Sequence, residues 1–287
     1  MQDQDKTDIG PNTESCLLKS GSTKENQKLV IAIFALLNRQ ITSLDTIREI
    51  LAMVKEFTGC EAAAIRLRQG EDFPYFVTQG FPGYFVEAEN FLCGRTADGE
   101  VIRDRSGKPV LECMCGNVIC GRTDASLPFF SEEGSFWTNS TTELLASTTE
   151  QDLQTRTRNR CNGEGYESVA LIPLRSDREI IGLLQLNDSR KNCFTADMIG
   201  YMEGIGAIVG IVLTRIMTEN ALRKSEEKYR NIFNNAGVGM FRSRMDGSEL
   251  LEVNDKFLKI LNQTREEVIG KPSVTLWVDP NTGGNGP

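Results

Sequence analysis

The spacing of apolar positions predicts a helix–helix–strand–strand order for the first part of the folded chain. A helix is expected over residues 27–40, and a second helix has Ser43 as its N-cap and ends at Gly59. One face of the second helix is apolar and consists of Ile47, Ile50, Leu51, Val54 and Phe57. Residues 61–68 alternate as a strand does, and residues 75–79 are expected to be its hairpin partner.

The chain is less periodic over residues 81–165. This segment is rich in Gly, Asp, Asn and Ser, and it contains five of the eight cysteines. A weakly periodic segment of this length inside a domain most often carries function. Regular patterning returns in residues 167–174 and 179–186, two β-rich runs separated by a polar turn at residues 175–178. This pair predicts a β-hairpin.

A long helix is predicted from Thr195 onward. Its apolar residues follow alternate spacings of four and three, as in a heptad seam, and are Met198, Met202, Ile205, Val209, Val212 and Ile216. The seam predicts a homodimer through this helix, whereas the alternative is a helix packed in the chain's own core. Gly204, Gly206 and Gly210 permit close approach of a neighbouring backbone. Residues 218–228 are polar and are expected to form a helical connector.

Residues 229–280 have the pattern of a second, smaller unit. Its predicted elements are a strand at 237–242, a turn at 246–247, a strand at 250–253 and helices at 254–261 and 264–269. Polar residues dominate at 1–26, which are expected to be a disordered tail, and 281–287 are expected to be a flexible end. The expected domains are therefore 27–217 and 229–280, joined by the connector.

Composition and charge restrict the classes of partner. The 287 residues carry a net charge of −8, which disfavours binding to nucleic acid. No signal peptide is visible, and the longest apolar stretches, residues 29–37 and 207–217, are shorter than the roughly 20 residues of a membrane span. We therefore expect a cytoplasmic chain without membrane insertion. In that compartment the cysteines are expected to be thiols, metal ligands or redox switches rather than disulfides.

Histidine is absent from the sequence. This absence excludes Ser-His-Asp and Cys-His catalysis, histidine-ligated zinc and a phospho-accepting histidine within these residues. We therefore expect no enzyme activity, and kinase activity would have to lie on another chain or on a continuation of this one.

Cysteines form the main candidate site. Cys113 and Cys115 are a CxC pair, and Cys120 follows five residues later. Zinc and iron–sulfur clusters normally take four thiolates. The expected ligands are Cys93, Cys113, Cys115 and Cys161, with Cys120 as the alternate. Two other interpretations stay open: a thiol–disulfide switch, and a set of buried, unreactive cysteines.

Trp137 is a further candidate binding residue. Together with the phenylalanines that precede it, Trp137 either lines a small-molecule pocket or fills a core. Haem is a less favoured cofactor than zinc or an iron–sulfur cluster, because no histidine is present to serve as an axial ligand.

The two β-rich runs carry a family resemblance. Residues 165–174 (GYESVALIPL) and 180–188 (IIGLLQLND) resemble the last two central strands of a GAF domain, and the similarity extends over 27–217. The resemblance implies a six-stranded antiparallel sheet with helices on one face and a small-molecule pocket on the other. Residues 81–165 would form the roof of that pocket. The sequence also resembles cysteine-bearing GAF domains of redox-sensor kinases, for which haem or redox-active thiols have been proposed.

A second resemblance begins within the connector. Residues 225–233 (SEEKYRNIF), 236–239 (AGVG), 254–257 (NDKF) and 266–271 (EEVIGK) resemble the opening half of a PAS domain. The fold class implied is α+β: a GAF-type sheet with flanking helices, a long connector helix and a partial PAS unit. The arrangement is similar to PAS/GAF sensory histidine kinases and is expected to be a truncated product or a fragment of one.

These observations predict a sensory input module of two-component signalling. It would sense a small ligand or a redox state in the cysteine-rich pocket and signal through the long helix to the PAS segment and a downstream kinase. The main alternative is a GAF-fold thiol enzyme such as a free methionine sulfoxide reductase, which requires a nucleophilic cysteine of low pKa and a resolving cysteine. A purely structural dimerisation module is the third possibility.

Overall fold

Residues 28–33, 35, 44–149, 153, 156–177 and 179–273 are described by the computed structural model. The chain divides into two units, Met1–Ile216 and Met217–Pro287. The predicted tail at 1–26, the predicted cap Ser43 and the predicted end at 281–287 lie outside the described residues. The structure has the α+β class that was expected, with a central antiparallel sheet and a long helix.

The predicted elements are present in the predicted order, and further short helices and one strand lie among residues 81–165. The helices are α1 (residues 28–33 and 35), α2 (Leu44–Thr58), α3 (Gly83–Glu89), α4 (Cys113–Cys120), α5 (Thr141–Ser147), α6 (Arg160–Gly163), α7 (Ala196–Asn235), α8 (Asp255–Leu261) and α9 (Arg265–Val268). The strands are β1 (Ala62–Leu67), β2 (Tyr75–Gln79), β3 (Phe136–Thr138), β4 (Ser168–Ser176), β5 (Glu179–Asp188), β6 (Phe241–Ser243) and β7 (Leu250–Val253).

A single antiparallel sheet organises the first unit. Its strand order is β2-β1-β5-β4-β3, so the two predicted hairpins, β1–β2 and β4–β5, lie side by side through the β1–β5 pairing. The described part of the chain has five strands in this sheet, whereas the family resemblance implied six. Every residue of β1 is buried, which means that both faces of the sheet are covered.

Helices α1, α2 and the first half of α7 cover one face of the sheet. The apolar face predicted for α2 is confirmed, because Ile47, Ile50, Leu51 and Val54 are all buried. They pack with Ala63, Ile65 and Leu67 of β1, the three alternate residues on that side of the strand. The intervening residues of β1 face the other side, where the segment between β2 and β4 lies.

The predicted heptad seam of α7 packs mainly against this chain. Met202, Ile205 and Val209 are buried in the same core as α2, and Met198 and Ile216 pack against that core. These residues are therefore occupied by intramolecular contacts. The alternative of a core helix describes this face of α7 better than a seam between two chains.

Two glycines allow α7 to lie close to β4. A Cβ atom at Gly210 would lie 2.1 Å from the carbonyl oxygen of Arg175, and one at Gly206 would lie 3.1 Å from a methyl group of Ile172. At Gly204 a Cβ would have no neighbour within 4 Å. Gly206 and Gly210 thus serve the predicted close approach, and Gly204 does not.

Among the described residues, α7 is the one helix long and apolar enough to cross a membrane, judged by length and composition alone. Of the 18-residue window that meets this criterion, 39% is buried inside the structure. A helix that packs in a protein core satisfies the same criterion.

The segment over residues 81–165 forms a second layer on the opposite face of the sheet. It was expected to be irregular, but its described residues include α3, α4, α5, α6 and the short strand β3. A separate apolar core holds this layer on the sheet, and it includes Phe85, Val118, Phe130, Phe136 and Leu183. The individual helices were missed because each is short and is stabilised by packing rather than by an amphipathic repeat.

The second unit is built around Asn254. The side-chain amide donates hydrogen bonds to the carbonyl oxygens of Phe233 (2.8 Å) and Val238 (3.0 Å). Its Oδ1 accepts from the backbone N–H groups of Met240 and Phe257, both at 2.9 Å. The predicted strand pair β6–β7 and the helices α8 and α9 are present. Asn254 caps α8 while joining it to the end of α7.

Candidate ligand-binding site

A pocket lies between the sheet and the second layer, with an empty volume of about 670 Å³. Its floor is formed by side chains of four central strands, namely Arg66, Tyr75, Val169, Leu171 and Gln185. Residues of α3, α4, α5 and α6 form the walls and the roof. A concave site with apolar walls and a few convergent polar groups is typical of small-molecule sites.

Arg66 is a buried cation on the pocket floor and is only 1% exposed. Its Nη1 donates to the carbonyl oxygens of Phe73 and Asn90, both at 3.1 Å, and its Nη2 donates to that of Glu89 at 2.7 Å. The Nε–H is buried and has no acceptor among the described residues. No carboxylate of the described chain forms an ion pair with this guanidinium.

A row of polar side chains continues from Arg66 across the floor. The Arg66 guanidinium carbon lies 3.6 Å from the centroid of the Tyr75 ring. The Tyr75 hydroxyl donates to Oε1 of Gln185 at 3.1 Å, and Nε2 of Gln185 donates to Oδ1 of Asn187 at 3.1 Å. Burial raises the pKa of Tyr75 well above its usual range, so the phenol remains a hydrogen-bond donor. The buried Nδ2 of Asn187 has no partner in the described part of the chain.

The charged residues at the pocket wall are centred on Glu89. Its carboxylate oxygens lie 3.1 Å from Nε of Arg160 and 3.8 Å from Nη1 of Arg158. Arg158 also forms a 2.8 Å ion pair with Glu112. Glu89 and Arg160 line the pocket, whereas Arg158 and Glu112 lie behind it. The side chain of Glu89 is 9% exposed, so these interactions are poorly screened by solvent.

Three of the predicted cysteines line this pocket: Cys113, Cys115 and Cys161. Burial raises the pKa of each thiol to about 12. The Cys115 thiol is also affected by Arg66, which lowers its pKa, and by Cys161, which raises it. Burial has the largest effect on Cys161, and the nearby amide of Asn187 acts in the opposite direction by lowering its pKa. All three thiols are therefore protonated at neutral pH.

Cys113 has an unusual backbone conformation for a residue with a side chain. Its φ is +62°, in the left-handed region that favours glycine. Its N–H donates to the carbonyl oxygen of Arg156 at 3.0 Å, and its Sγ accepts from the N–H of Arg158 at 3.1 Å. These contacts connect the start of α4 to the segment that precedes α6. A residue with a side chain in the left-handed region is strained, and such residues often occur at functional sites.

Cys93 packs in the same apolar core as Cys115 but outside the pocket lining. It pairs with Leu111 in the extended segment that follows α3, its thiol points at the carbonyl oxygen of Glu71 (3.7 Å), and it does not line the pocket. The alternate ligand, Cys120, is exposed at the end of α4. In the described residues no three His, Cys, Asp or Glu side chains are placed to hold a metal ion. Within its described residues, the structure therefore does not bring the four predicted thiolates together as one metal-binding group.

Trp137 lines a different depression, with an empty volume of about 770 Å³. Its neighbours there include Ser140, Lys191 and Asn192, and the tryptophan also packs against the core beneath α2 and α7. The structure therefore places Trp137 outside the pocket that contains the cysteines.

Sequence reasoning missed the polar residues of the pocket floor. Arg66 and Gln185 are polar residues that each lie between two apolar residues of a strand. That pattern usually indicates a solvent-facing side chain. The sequence signal that could have identified these two residues is a charged or amide side chain within an otherwise apolar central strand. Their burial depends on the second layer, which the local pattern does not predict.

Comparison with solved structures finds similar folds at low identity. The GAF domain of a phosphoenolpyruvate-protein phosphotransferase from Coxiella burnetii is 12% identical, with 69% of this chain and 98% of that chain covered and a TM-score of 0.48. A domain assigned to a two-component sensor histidine kinase of Sinorhizobium meliloti 1021 is 16% identical, with 64% and 99% covered and a TM-score of 0.41. Free methionine-R-sulfoxide reductase from Neisseria meningitidis, in complex with its substrate, is 14% identical, with 70% and 96% covered and a TM-score of 0.45.

No curated protein sequence matches the chain. Family models, in contrast, match both units. The GAF domain model matches residues 43–213, which is more than half of the chain, and a PAS domain model matches residues 227–285. These matches agree with the sheet, the roofed pocket and the second unit described above. The chain belongs to the GAF domain family, with a PAS domain after it, and is a sensory or signalling module.

Proposed function

We propose that this chain is the sensory input module of a two-component signalling protein and that its GAF domain binds a small organic molecule in the 670 Å³ pocket. The observation that carries the proposal is the polar floor of that pocket. Arg66, on that floor, has a buried Nε–H donor without an acceptor among the described residues. A buried donor without a partner costs about 1–3 kcal/mol, and a bound molecule or water that accepts from it recovers that free energy.

The geometry offers a route from the pocket to α7. Strand β4 contributes Val169 and Leu171 to the pocket floor. Farther along the same strand, the backbone of Arg175 is in close contact with Gly210 of α7. Because this contact has no side chain to absorb a displacement, a ligand that shifts β4 also shifts α7. The helix extends beyond the first unit to Asn235, and its last residues lie in the PAS match, which begins at residue 227.

The protonation of the pocket cysteines favours a sensor over a thiol enzyme. Cys113, Cys115 and Cys161 share one pocket, as a nucleophile and a resolving thiol would. However, burial raises the pKa of all three to about 12, and reactive cysteines require a lowered pKa. The same protonation opposes a thiolate redox switch in the unliganded state.

The proposal includes two protein partners, namely an output domain and a second copy of this chain. A downstream output domain such as a kinase would receive the signal, and the module would act as a cytoplasmic homodimer. Because most of the predicted seam is buried, the dimer would use the other side of α7, where Ile211 is 63% exposed.

A pocket-filling variant tests the proposal. Leu145 of α5 lines the pocket, whereas its neighbour Ala146 is exposed and does not. We expect a metabolite screen by thermal shift to find ligands for the wild-type chain and for Ala146→Trp, and none of them to bind Leu145→Trp. Hydrogen exchange should then show that the ligand changes protection in α7. Absence of any ligand, or ligands that bind Leu145→Trp equally well, would contradict the proposal, and turnover of methionine sulfoxide with a thiol reductant would favour the enzyme.

A further inference from the structure

We propose that the molecule bound in this pocket is a small organic carboxylate with an apolar body, and that its carboxylate accepts hydrogen bonds from Arg66. The inference rests on the proposed function, because it names the chemical class of the ligand at the same site. It is carried by the hydrogen bonds of Arg66, by the charges around the pocket and by the separation of polar and apolar walls.

The hydrogen bonds of Arg66 leave part of its guanidinium free. A guanidinium has five N–H donors in a planar fork. Three of them bond the carbonyl oxygens of Phe73, Glu89 and Asn90, and the Nε–H has no acceptor in the described structure. Carbonyl oxygens carry only a partial charge, so the positive charge of Arg66 is not neutralised. A carboxylate supplies both an acceptor for the free donors and the missing negative charge.

The charges around the pocket favour an anion. Among the described residues, its lining contains two arginines, Arg66 and Arg160, and one carboxylate, Glu89. Glu89 is paired with Arg160 at 3.1 Å, which leaves Arg66 as the excess charge. The chain as a whole has a net charge of −8, so this local excess is opposite in sign to the rest of the protein. A buried site with one unpaired cation selects a monoanion over a neutral molecule.

The other walls of the pocket define the rest of the ligand. The surfaces away from the strand floor are formed largely by apolar side chains, including Phe85, Met114, Leu144, Leu145 and Leu153. A molecule that spans the pocket therefore places its charged end on the floor near Arg66 and an aliphatic or aromatic body against these side chains. A fully polar anion would leave the apolar wall unfilled, and a neutral apolar molecule would leave Arg66 unpaired.

Matched probes test this ligand class with the full chain. Isothermal titration would compare phenylacetate, phenylacetamide, hexanoate, hexanamide and acetate. We expect each larger acid to bind at least tenfold more tightly than its amide, because a hydrogen-bonded charge pair is worth about 1.5–3 kcal/mol and 1.4 kcal/mol is a factor of ten. Acetate should bind more weakly than hexanoate, since it lacks the apolar body. Amides that bind as tightly as acids would overturn the inference.

Two arginine variants test whether Arg66 is responsible for the tighter binding of the acids. Arg66→Lys keeps the charge but loses the planar fork, so it should weaken the binding of phenylacetate more than the binding of phenylacetamide. If Arg66→Lys does not fold by circular dichroism, Arg160→Gln is the second variant, because Arg160 is 42% exposed and tolerates change. That variant should weaken acid binding about two- to fivefold and leave amide binding unchanged. A folded Arg66→Lys that binds phenylacetate as tightly as the wild-type chain would overturn the inference.

The outcomes separate this inference from the proposed function. If the acids fail and neutral molecules bind, the carboxylate class is wrong while the small-molecule sensor remains. If none of the five probes binds, the carboxylate class is also wrong, and the sensor is judged by the metabolite screen with Leu145→Trp.

Discussion

Arg66 and Tyr75 lie face to face on the floor of the pocket, with the guanidinium carbon 3.6 Å from the centre of the phenol ring. The two residues come from adjacent strands, β1 and β2, which pair in antiparallel register. The ring covers one face of the cation, and the hydrogen-bonding edges of the guanidinium remain in the plane of the fork. This arrangement holds the Arg66 side chain in place before a ligand arrives.

Two variants of Tyr75 distinguish the stability contributed by its hydroxyl from the stability contributed by its ring. Tyr75→Phe keeps the ring over Arg66 but leaves Oε1 of Gln185 without this donor, so we expect the free energy of unfolding to fall by about 1 kcal/mol. Tyr75→Leu also removes the cation–π contact and should cost a further ~1–2 kcal/mol. Urea unfolding followed by circular dichroism measures both. Equal stability of the two variants would show that the ring does not stabilise Arg66.

Neutralising Glu89 should strengthen anion binding. Glu89→Gln removes the one carboxylate among the described residues that line the pocket, so phenylacetate should bind about two- to fivefold more tightly, while the chain loses about 1–3 kcal/mol of stability. Glu112→Gln is the control, because Glu112 pairs with Arg158 but does not line the pocket. Titration calorimetry compares the two variants. Weaker phenylacetate binding to Glu89→Gln would contradict the charge argument.

A pair of glycine variants tests the contact between α7 and β4. Gly210→Ala places a Cβ atom 2.1 Å from the carbonyl oxygen of Arg175, so helix and strand must separate, at a cost of about 1–3 kcal/mol. Gly204→Ala has no neighbour within 4 Å and should stabilise the helix by up to about 1 kcal/mol. Thermal unfolding gives the sign of each change. If Gly210→Ala were as stable as Gly204→Ala, the close packing of α7 on β4 would be refuted.

Thiol titration gives a pH dependence of stability. Burial raises the pKa of Cys115 and Cys161 to about 12, whereas a thiol in the unfolded chain titrates at about 8.5. The unfolded state therefore loses protons first, so the stability that these thiols contribute is complete below about pH 8.5 and falls as the pH rises towards 12. Urea unfolding at pH 7.5 and pH 10 should show this loss, and it should be smaller in Cys115→Ala.

The same pKa shift predicts slow alkylation. At pH 7.5, iodoacetamide should modify the exposed Cys120 first and the buried Cys115 last, as read by peptide mass mapping. Rapid modification of Cys115 or Cys161 in the folded chain would instead indicate a reactive thiol and would favour the enzyme.

The proposed dimer has its own test. Ile211 is exposed on α7, and Ile211→Glu should shift a dimer to a monomer in light scattering, whereas Arg223→Glu, on the polar part of the helix, should not. A wild-type chain that is monomeric at high concentration would exclude the dimer.

Local pattern was sufficient for the regular elements of this protein. The amphipathic face of α2, the hairpin of β4 and β5 and the long helix α7 follow from repeats that a few neighbouring residues specify, because side chains of a helix or strand return to one face at a fixed spacing. The motifs of the GAF and PAS domains lie in these elements, which is why both domains were recognisable.

Long-range packing decided the site. Arg66 is buried because the segment between β2 and β4 folds over the sheet, while Cys93 pairs with Leu111 in the extended segment after α3 and does not line the pocket. The apolar seam of α7 is buried because it packs in the core of its own chain, where Gly206 and Gly210 of α7 contact β4. Periodicity specifies which residues share a face, but what covers that face depends on contacts between residues far apart in the chain, and these exist only in the folded structure.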